Sequence, residues 1–469
     1  MPNPKFKQGQ YTELDFKGFS PDLDTATPGI FVASNSLVPN NKGFFSPQLL
    51  PVSRTNALPA KCLGAFTAYF LNGTFRQFAG TNTHLYENVA GTWTEVDGGT
   101  TFNATQWRFA QFGNHTIAVD GVDAPVFATD SGNFSTLGGS PPVAKLVASI
   151  SNNFLFMAND TSFSDEWTTC AQGNDGNWTP NASTQASQNR LWDNSGPITG
   201  IKPIGANLTL AIYKRDVTYL GQYVAPPVIW QFIKVSSQVG ALTQESIVDI
   251  GNIHVFPGVD DFYLFDGSNT QRLESPIKKY FYNIINYSAI QNGTAFLIGR
   301  FDRIKNVVSW HYPTTGTTMD TYLAWNIKSN HWTVNSLSIE NALLPEYPDL
   351  PPTQAIFDLT HTMKTFTGGA DPAATFTTGD MGDGVNYQFL SRIRPKFQTA
   401  PLSWPSISAT VLGRQNLGDT QTTLSTGQGD PSGFINTRGC DRYLALQINL
   451  GASCEIGGMH LDLQDDGVR

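Results

Sequence analysis

The chain has 469 residues, of which 14% are charged, 40% are hydrophobic and 12% are aromatic. Its 29 lysines and arginines are outnumbered by 38 aspartates and glutamates, and the resulting net charge of −9 argues against a general nucleic-acid-binding protein with a basic face. The apolar and aromatic content excludes a disordered chain. So low a charge is typical of many short strands joined by tight turns, or of a surface that neighbouring subunits cover.

The chain begins with a segment that lacks regular periodicity. Residues 1–59 are broken by Asp22, Pro28, Pro39 and Gly43, and this pattern predicts an extended arm. The arm nevertheless carries apolar residues that a free tail does not need, so we expect it to be buried against a sheet formed by the C-terminal strands around residues 443–450. These apolar residues are Phe16, Phe19, Ile30, Phe31, Val32, Phe44 and Phe45.

Residues 60–340 repeat one theme, in which an alternating apolar strand leads into an Asp, Asn or Gly turn and a second strand that often contains Trp. Alternation turns one face of each strand inward, and the aromatic residue packs across strands. Repeating units of this kind predict the blades of a β-propeller. A string of β-sandwiches is the alternative. The clearest segments are Leu85–Trp93, His115–Gly121, Leu208–Tyr213, Phe262–Gly267 and Tyr322–Trp332.

One segment within the propeller region has a helical pattern. Residues 275–287 place Ile277, Phe281, Ile284 and Ile285 on one stripe. Ser275 is suited to be the N-cap and Pro276 to be the first helical residue. The sequence therefore predicts a short helix that begins at Pro276.

The last third of the chain divides in two. Residues 341–385 contain Pro345, Pro348, Pro351 and Pro352 followed by a run rich in Gly, Asp and Thr, and they are assigned to a loop or insertion. Strand patterns return over residues 386–469, which are assigned to a smaller C-terminal β-domain. The predicted fold is all-β, with a β-propeller body and a β-rich platform built from the N-terminal arm and the C-terminal strands.

The residues offer no recognisable chemistry. No nucleophile elbow, zinc helix, P-loop or dinucleotide motif occurs, and the cysteines at 62, 170, 440 and 454 have no metal or redox spacing. Asp260–Asp261 is read as turn-forming in preference to a metal or acid–base pair. Asp380–Gly384 lacks EF-hand spacing and is read as a solvated loop in preference to a calcium site. We predict no catalytic, cofactor-binding or metal-binding residues, and no enzyme activity.

Two further features bear on the class of protein. No apolar run of about 18 residues is present, so no membrane span is expected. Six tryptophans are predicted to pack between blades; the alternative is that their rings stack against bound sugars. They are Trp93, Trp107, Trp178, Trp192, Trp230 and Trp332.

Several short segments occur in an order that is more specific than composition. The central ones are Ser164–Asp165, Trp178–Pro180, residues 196–214, Val217–Leu220, Gly240, Gly251–Phe256 and Asp261–Gly267. The end segments are Asp22, Asp24, Pro28, Gly29, Asn35, Pro39 and Gly43 near the start, and Arg438, Arg442, Tyr443, Ile456–Gly458 and Gly467–Arg469 near the end. In this order they resemble the tail nozzle or hub proteins of short-tailed bacteriophages, including packaged-DNA stabilisation proteins. The resemblance is weakest over residues 341–435.

The resemblance implies a structural virion protein without catalytic residues or cofactors. It implies a homo-oligomeric ring, a hexamer, below the portal and the adaptor of the phage head. That ring would channel and retain the packaged double-stranded DNA until ejection, and it would support tail fibres or a spike. The protein would be made in the host bacterial cytoplasm and located in the virion tail.

Two other hypotheses stay open at this point. A carbohydrate-binding or carbohydrate-cleaving propeller is the alternative function, and cleavage would need two carboxylates roughly 5–10 Å apart. A monomeric scaffold propeller is the third hypothesis, which the mass of the protein in solution would distinguish.

Overall fold

The computed structural model describes residues 11–205, 208–343 and 354–465, and within these ranges the chain is almost entirely strands. The N-terminal arm contributes five strands, β1 (Tyr11–Asp15), β2 (Gly18–Phe19), β3 (Ile30–Asn35), β4 (Leu37–Pro39) and β5 (Phe45–Pro47). A sixth strand, β6 (Leu49–Ala57), follows directly. The predicted all-β class is confirmed.

Six consecutive four-stranded antiparallel sheets form blades 1 to 6 of a propeller. Blade 1 holds β7 (Gly64–Tyr69), β8 (Phe75–Gly80), β9 (Leu85–Val89) and β10 (Thr92–Glu95). Blade 2 holds β11 (Arg108–Phe112), β12 (His115–Val119), β13 (Val126–Ala128) and β14 (Ser135–Thr136). Blade 3 holds β15 (Ala144–Ile150), β16 (Phe154–Asp160), β17 (Glu166–Thr169) and β18 (Ser187–Arg190).

The remaining three of these blades follow the same order. Blade 4 holds β19 (Ile198–Pro203), β20 (Thr209–Lys214), β21 (Thr218–Ala225) and β22 (Ile229–Ser236). Blade 5 holds β23 (Val248–Asp249), β24 (His254–Pro257), β25 (Phe262–Phe265) and β26 (Thr270–Arg272). Blade 6 holds β27 (Ile298–Asp302), β28 (Val307–Tyr312), β29 (Met319–Asn326) and β30 (His331–Ile339).

The turns between the third and fourth strands explain why this sequence forms such blades. In three of them an Asn or Asp side chain at the turn accepts hydrogen bonds from backbone N–H groups that lie two or three residues further on. Asn88 binds Gly91 N, Asp266 binds Ser268 N and Asn269 N, and Asn326 binds Lys328 N and Ser329 N, at 2.8–3.0 Å. Such Asx turns close the hairpin locally, so the propeller prediction over these segments is confirmed.

A seventh blade closes the ring, and here the structure differs from the sequence prediction. Residues 341–385 were assigned to a loop, but β31 (Asn341–Leu343), β32 (Ala355–Phe357) and β33 (Thr362–Ala370) form three strands of a sheet. The fourth strand is β6, which pairs with β33 from Thr362↔Ala57 to Ala370↔Leu49. Local sequence does not reveal such a blade, because β6 precedes blade 1 in the chain whereas the other three strands follow blade 6. The four prolines that favoured a loop lie outside the described residues.

A second domain, here called the platform, is a sandwich of two six-stranded sheets. Its C-terminal strands are β34 (Thr375–Thr378), β35 (Gln388–Thr399), β36 (Ile407–Arg414), β37 (Thr422–Gln428), β38 (Ile435–Asp441), β39 (Tyr443–Leu450) and β40 (Glu455–Asp465). Arm strand β1 pairs with β40, β5 meets β40 at Ile456, and β3 pairs with β34. The platform prediction is confirmed with two differences. Strand β6, which was assigned to the arm, belongs to the propeller, and β34, which lies in the predicted loop, belongs to the platform.

The arm is buried largely as its composition predicts. Phe16, Phe31 and Phe45 lie in the core between the two platform sheets, and Ile30 is also fully buried. Val32 and Phe44 are only half-buried. The arm reaches β39 through β34 and does not pair with it directly. Phe19 packs instead on the propeller, against Tyr280.

The predicted helix exists but begins later. It is α1 (Lys278–Ile284), followed by α2 (Tyr287–Gln291), and together they connect blades 5 and 6. Ile277 occupies the N-cap position without a side-chain hydrogen bond. Asp22 of the arm accepts from Lys279 N and Tyr280 N at 2.5 and 2.9 Å instead. Asp22, which is distant in sequence, therefore caps the N-terminus of the helix in the role that was predicted for Ser275. Among the described residues, neither helix is long and apolar enough to cross a membrane.

Candidate functional site

The innermost strands of the blades surround a cavity of about 700 Å³ on the propeller axis. Most lining residues belong to the first strand of a blade or to the residues beside it, and all seven blades contribute. The charged residues that line the cavity are Arg108, Lys202, Glu245, Asp249, Arg300 and Arg303. A cavity of this size falls in the range of small-molecule sites, roughly 300–1,000 Å³.

A salt bridge crosses this cavity between opposite blades. Arg108 begins the inner strand of blade 2, and Glu245 lies in the 3₁₀ turn Gln244–Ser246 that precedes blade 5. Arg108 Nε is 2.5 Å from Glu245 Oε1, and Arg108 Nη2 is 3.1 Å from Oε2. Burial raises the pKa of Glu245, but the charge and hydrogen bonds of Arg108 outweigh it and hold that pKa below the ordinary value.

Glycines in both flanking blades leave room for Ile247 and Val248, the two residues that follow the 3₁₀ turn. A Cβ on Gly200 of blade 4 would lie 2.5 Å from Ile247 Cδ1. A Cβ on Gly299 of blade 6 would lie 2.4 Å from Val248 Cγ2. Gln244 Nε2 also donates to Val147 O of blade 3 at 3.1 Å. This turn therefore ties blades 2, 3, 4 and 6 together around the cavity.

Two further cations point at backbone carbonyls. Lys202 Nζ donates to Ile247 O at 2.5 Å, and Arg300 Nε donates to Ala342 O at 2.9 Å. Burial, with the nearby charge of Arg300, lowers the pKa of Lys202 to about 8. Burial lowers the pKa of Arg300 to about 10. Both shifts have the direction expected for cations that the protein removes from water without a close carboxylate.

The junction between platform and propeller is a second candidate site. Asn335 on β30 accepts from Leu37 N at 2.7 Å and donates to Leu37 O at 3.1 Å. Thr333 Oγ1 donates to the same carbonyl at 2.8 Å, and Ser34 Oγ donates to Val334 O at 2.9 Å. The arm therefore lies along the outer strand of blade 6 as a hydrogen-bonded seam. This seam fixes the platform to the propeller.

The acidic residues singled out from the sequence have local partners. Asp261 Oδ2 lies 3.1 Å from Lys278 Nζ, and Asp260 accepts from Tyr263 Oη at 2.7 Å and contacts Arg272 at 3.2 Å. Asp380 is buried and forms an ion pair with Arg414. Asp383 accepts from Val385 N and Asn386 N at 2.8 Å in a local turn. The structure does not bring Asp380 and Asp383 to a common ligand position.

Five of the six tryptophans are buried, as predicted for core packing, but Trp192 is 79% exposed. It lies between blades 3 and 4 on a segment with strong anchors. Lys214 Nζ donates to Leu191 O and Asn194 O, each at 2.5 Å. Asp193 accepts from Tyr219 Oη at 2.6 Å and pairs with Lys234 at 2.7 Å. The indole of Trp192 is therefore exposed to solvent on a loop whose backbone is fixed by these contacts.

One group of metal-ligand types is present among the described residues, and sequence spacing does not reveal it. His84 Nδ1 is 2.7 Å from Asp97 Oδ2 and 3.8 Å from Glu95 Oε2. Asp97 Oδ1 also accepts from Gly99 N at 2.9 Å. These contacts form a complete hydrogen-bonded pair on their own, so they do not require an ion.

Comparisons with known proteins give similarity in fold only. The crystal structure of BamB from Moraxella catarrhalis is 10% identical over 76% of this chain and 96% of that chain, with a TM-score of 0.39. BBS1N in complex with ARL6DN, soaked with mercury, is 10% identical over 69% of this chain and 99% of that chain, with a TM-score of 0.44. No family model and no curated protein matches the sequence. These similarities assign no function to the chain.

Proposed function

We propose that this protein is a structural subunit of a short phage tail, which forms a ring that channels and retains packaged double-stranded DNA. In this proposal the ring, a hexamer, is the nozzle or hub below the portal and adaptor, and it supports the distal fibres or spike. The order of the short segments between residues 164 and 267, and of those at both ends of the sequence, resembles that of tail proteins and supports the proposal. An acidic chain also suits a DNA passage, because basic walls would hold the phosphates.

The observation that carries the proposal is the platform. Both chain ends build a domain with its own core beside a propeller whose ring is already closed. A solitary propeller does not need such a domain, whereas a ring needs a surface on which subunits meet. Leu402 is fully exposed on the loop between β35 and β36, and Val385 is also largely exposed. Side chains of this kind are suited to burial between subunits.

The axial cavity indicates where DNA would not pass. Its volume is that of a small-molecule site, and the Arg108–Glu245 ion pair crosses it. A duplex therefore does not fit through a single propeller. In the proposed ring it passes between subunits, and each propeller is a rigid wall element.

A matched pair of surface variants tests the proposal. We expect Leu402→Asp on the platform to shift the purified protein from rings to monomers, because a carboxylate would be buried between subunits. Leu71→Asp is the control, since Leu71 is 78% exposed at a blade 1 turn. Mass photometry measures assembly, and electron microscopy of phage particles measures location. Monomers of the unchanged protein at every concentration, or particles without it, would contradict the proposal.

Trp192 favours carbohydrate binding as a second candidate function. An exposed aromatic face on a fixed loop is suited to stacking against a sugar ring. Cleavage within the axial cavity is less well supported, because a general acid needs a raised pKa and the pKa of Glu245, which is paired with Arg108, is lowered. A glycan array should then show binding that Trp192→Ala abolishes and Trp192→Phe partly keeps. Equal array signals for all three proteins would rule this candidate out.

A further inference from the structure

The charge of the axial cavity differs in sign from that of the whole chain. Its lining includes four cations, Arg108, Lys202, Arg300 and Arg303, and two acids, Glu245 and Asp249. The balance is 4 − 2 = +2 for these residues, against −9 for the full sequence. The excess positive charge lies inside a concave site, where the low local dielectric strengthens electrostatic attraction.

Two of these cations have no carboxylate in ion-pair contact among the described residues, although the charges of Glu245 and Asp249 act on them from further away. Glu245 is already paired with Arg108. Lys202 donates to Ile247 O, and Arg300 donates to Ala342 O and to Gly299 O; neither cation forms an ion pair within the described ranges. Carbonyl oxygens satisfy hydrogen bonds but do not neutralise charge. An ammonium and a guanidinium that enter one cavity from blades 4 and 6 therefore leave a position for an anion.

Two aromatic rings line the cavity on the side of blades 1 and 2, beside Arg108. Phe66 of blade 1 and Phe109 of blade 2 line the cavity and stack on each other, with ring centroids 5.9 Å apart and an interplanar angle of 8°. Both are only partly buried. The cavity therefore combines cationic groups with an aromatic pair, and small-molecule sites commonly join apolar surface with a few polar groups in this way.

We propose that the axial cavity binds a phosphate-class oxyanion, whose oxygens lie between Lys202 Nζ and the Arg300 guanidinium. A guanidinium presents several donors to phosphate oxygens, and an ammonium adds a compact charge. The chemistry suits free phosphate or a phosphate monoester whose organic part contacts Phe66 and Phe109. Duplex DNA is excluded by the cavity's size and by the ion pair that crosses it. The proposal is independent of the role in a phage tail.

A purely structural role for the two cations is the alternative, in which they only hold Ile247 and Ala342 in place. The two accounts differ in the effect of Glu245→Gln. If an anion binds, removal of the Glu245 charge should tighten binding several-fold, because the site becomes more positive and Arg108 becomes available. If the cations are only structural, no anion binds before or after the change.

Isothermal titration calorimetry of the full chain tests the proposal with inorganic phosphate and with phenyl phosphate as probes. We expect saturable binding of at least one probe at one site per chain. Binding should weaken at least tenfold in Lys202→Met and tighten in Glu245→Gln, and it should be unchanged in Lys328→Met, whose lysine is exposed at a blade 6 turn. Tighter binding of phenyl phosphate would identify a monoester as the ligand, and equal binding would identify free phosphate.

Three results would overturn the proposal. One is the absence of saturable binding of both probes by the unchanged protein. Another is equal weakening in Lys202→Met and Lys328→Met. The third is a Glu245→Gln protein that is folded by circular dichroism but binds no more tightly than the unchanged protein. Because this last variant should gain affinity, the test remains decisive even if Lys202→Met does not fold.

Discussion

Arg108 and Glu245 are 137 positions apart in the chain, yet their charged groups meet across the propeller axis with Nε and Oε1 2.5 Å apart. Arg108 Nη1 also donates to Lys145 O at 2.9 Å, beside blade 3. A single guanidinium thus joins three positions around the ring. The pair is mostly buried, at 13% and 15% side-chain exposure, so its loss should affect the whole propeller.

We expect Arg108→Met to lower the free energy of unfolding by about 3 kcal/mol, because it leaves Glu245 buried without its partner. The double variant Arg108→Met/Glu245→Gln should be less destabilised, since no lone charge remains. Urea denaturation of both proteins measures the difference. Equal loss in the single and double variants would show that the unpaired charge of Glu245 is not the cause of the destabilisation.

The arm should stabilise helix α1 through Asp22. Asp22→Ala removes the acceptor for Lys279 N and Tyr280 N, and a lost N-terminal cap costs about 1 kcal/mol. Asp24→Ala is the matched control, because Asp24 accepts from Ala26 N within its own exposed turn. Thermal unfolding should show a lower Tm for the first variant only. An unchanged Tm for Asp22→Ala would mean that the arm does not support the helix in solution.

The contact between blades 1 and 2 should tolerate no added methyl at residue 80. A Cβ on Gly80 would lie 2.1 Å from Trp107 Cδ1, and Trp107 is held by a 2.7 Å hydrogen bond to Thr81 O. We expect Gly80→Ala to cost about 1–3 kcal/mol through overpacking. Gly138→Ala should be neutral, because its Cβ would meet nothing within 4 Å. Chemical denaturation of both variants tests this contrast.

Low pH should reduce the free energy of unfolding, because two buried histidines resist protonation in the folded protein. Burial, with the charge of Arg300, lowers the pKa of His311 to about 3, and burial, with Lys202, lowers that of His254 to about 4. The unfolded chain binds these protons near pH 6.5, so the stability that depends on the neutral rings is complete above that pH. It falls as the pH drops from about 6.5 towards 4 and 3, because the unfolded chain then binds protons that the folded chain does not.

His311→Gln isolates one of these two contributions. The ring of His311 bonds Gln354 through Nε2 and stacks on Tyr322, so a neutral amide keeps part of the contact. The variant should show a shallower decline in stability below pH 6.5 than the unchanged protein. Parallel curves for the two proteins between pH 6.5 and 4 would contradict the prediction.

Sequence reasoning predicted the elements that local patterns encode and missed those that distant contacts create. Asn88, Asp266 and Asn326 reveal their hairpins because the turn and its hydrogen bonds lie within a few residues. The fourth strand of blade 7, β6, ends at Ala57 and β33 begins only at Thr362, so no local pattern links them. Arg108 and Lys202 look like ordinary strand residues until the closed ring places them on the axis. Trp192 is exposed because of its position on the loop between blades 3 and 4, which its sequence neighbours do not reveal.

The way blade 7 is closed has a mechanical consequence. The chain enters β6 at Leu49 and leaves β33 at Ala370, and these two residues face each other in the pair. Tension on the platform would therefore pull both strands from the same end and peel their hydrogen bonds one at a time, which resists force poorly. The hydrogen bonds between Leu37 and Asn335 also connect the platform to the propeller, so they bear part of any force that would otherwise act on β6 and β33. Under tension, this outer attachment to blade 6 must fail before the blade can be unzipped.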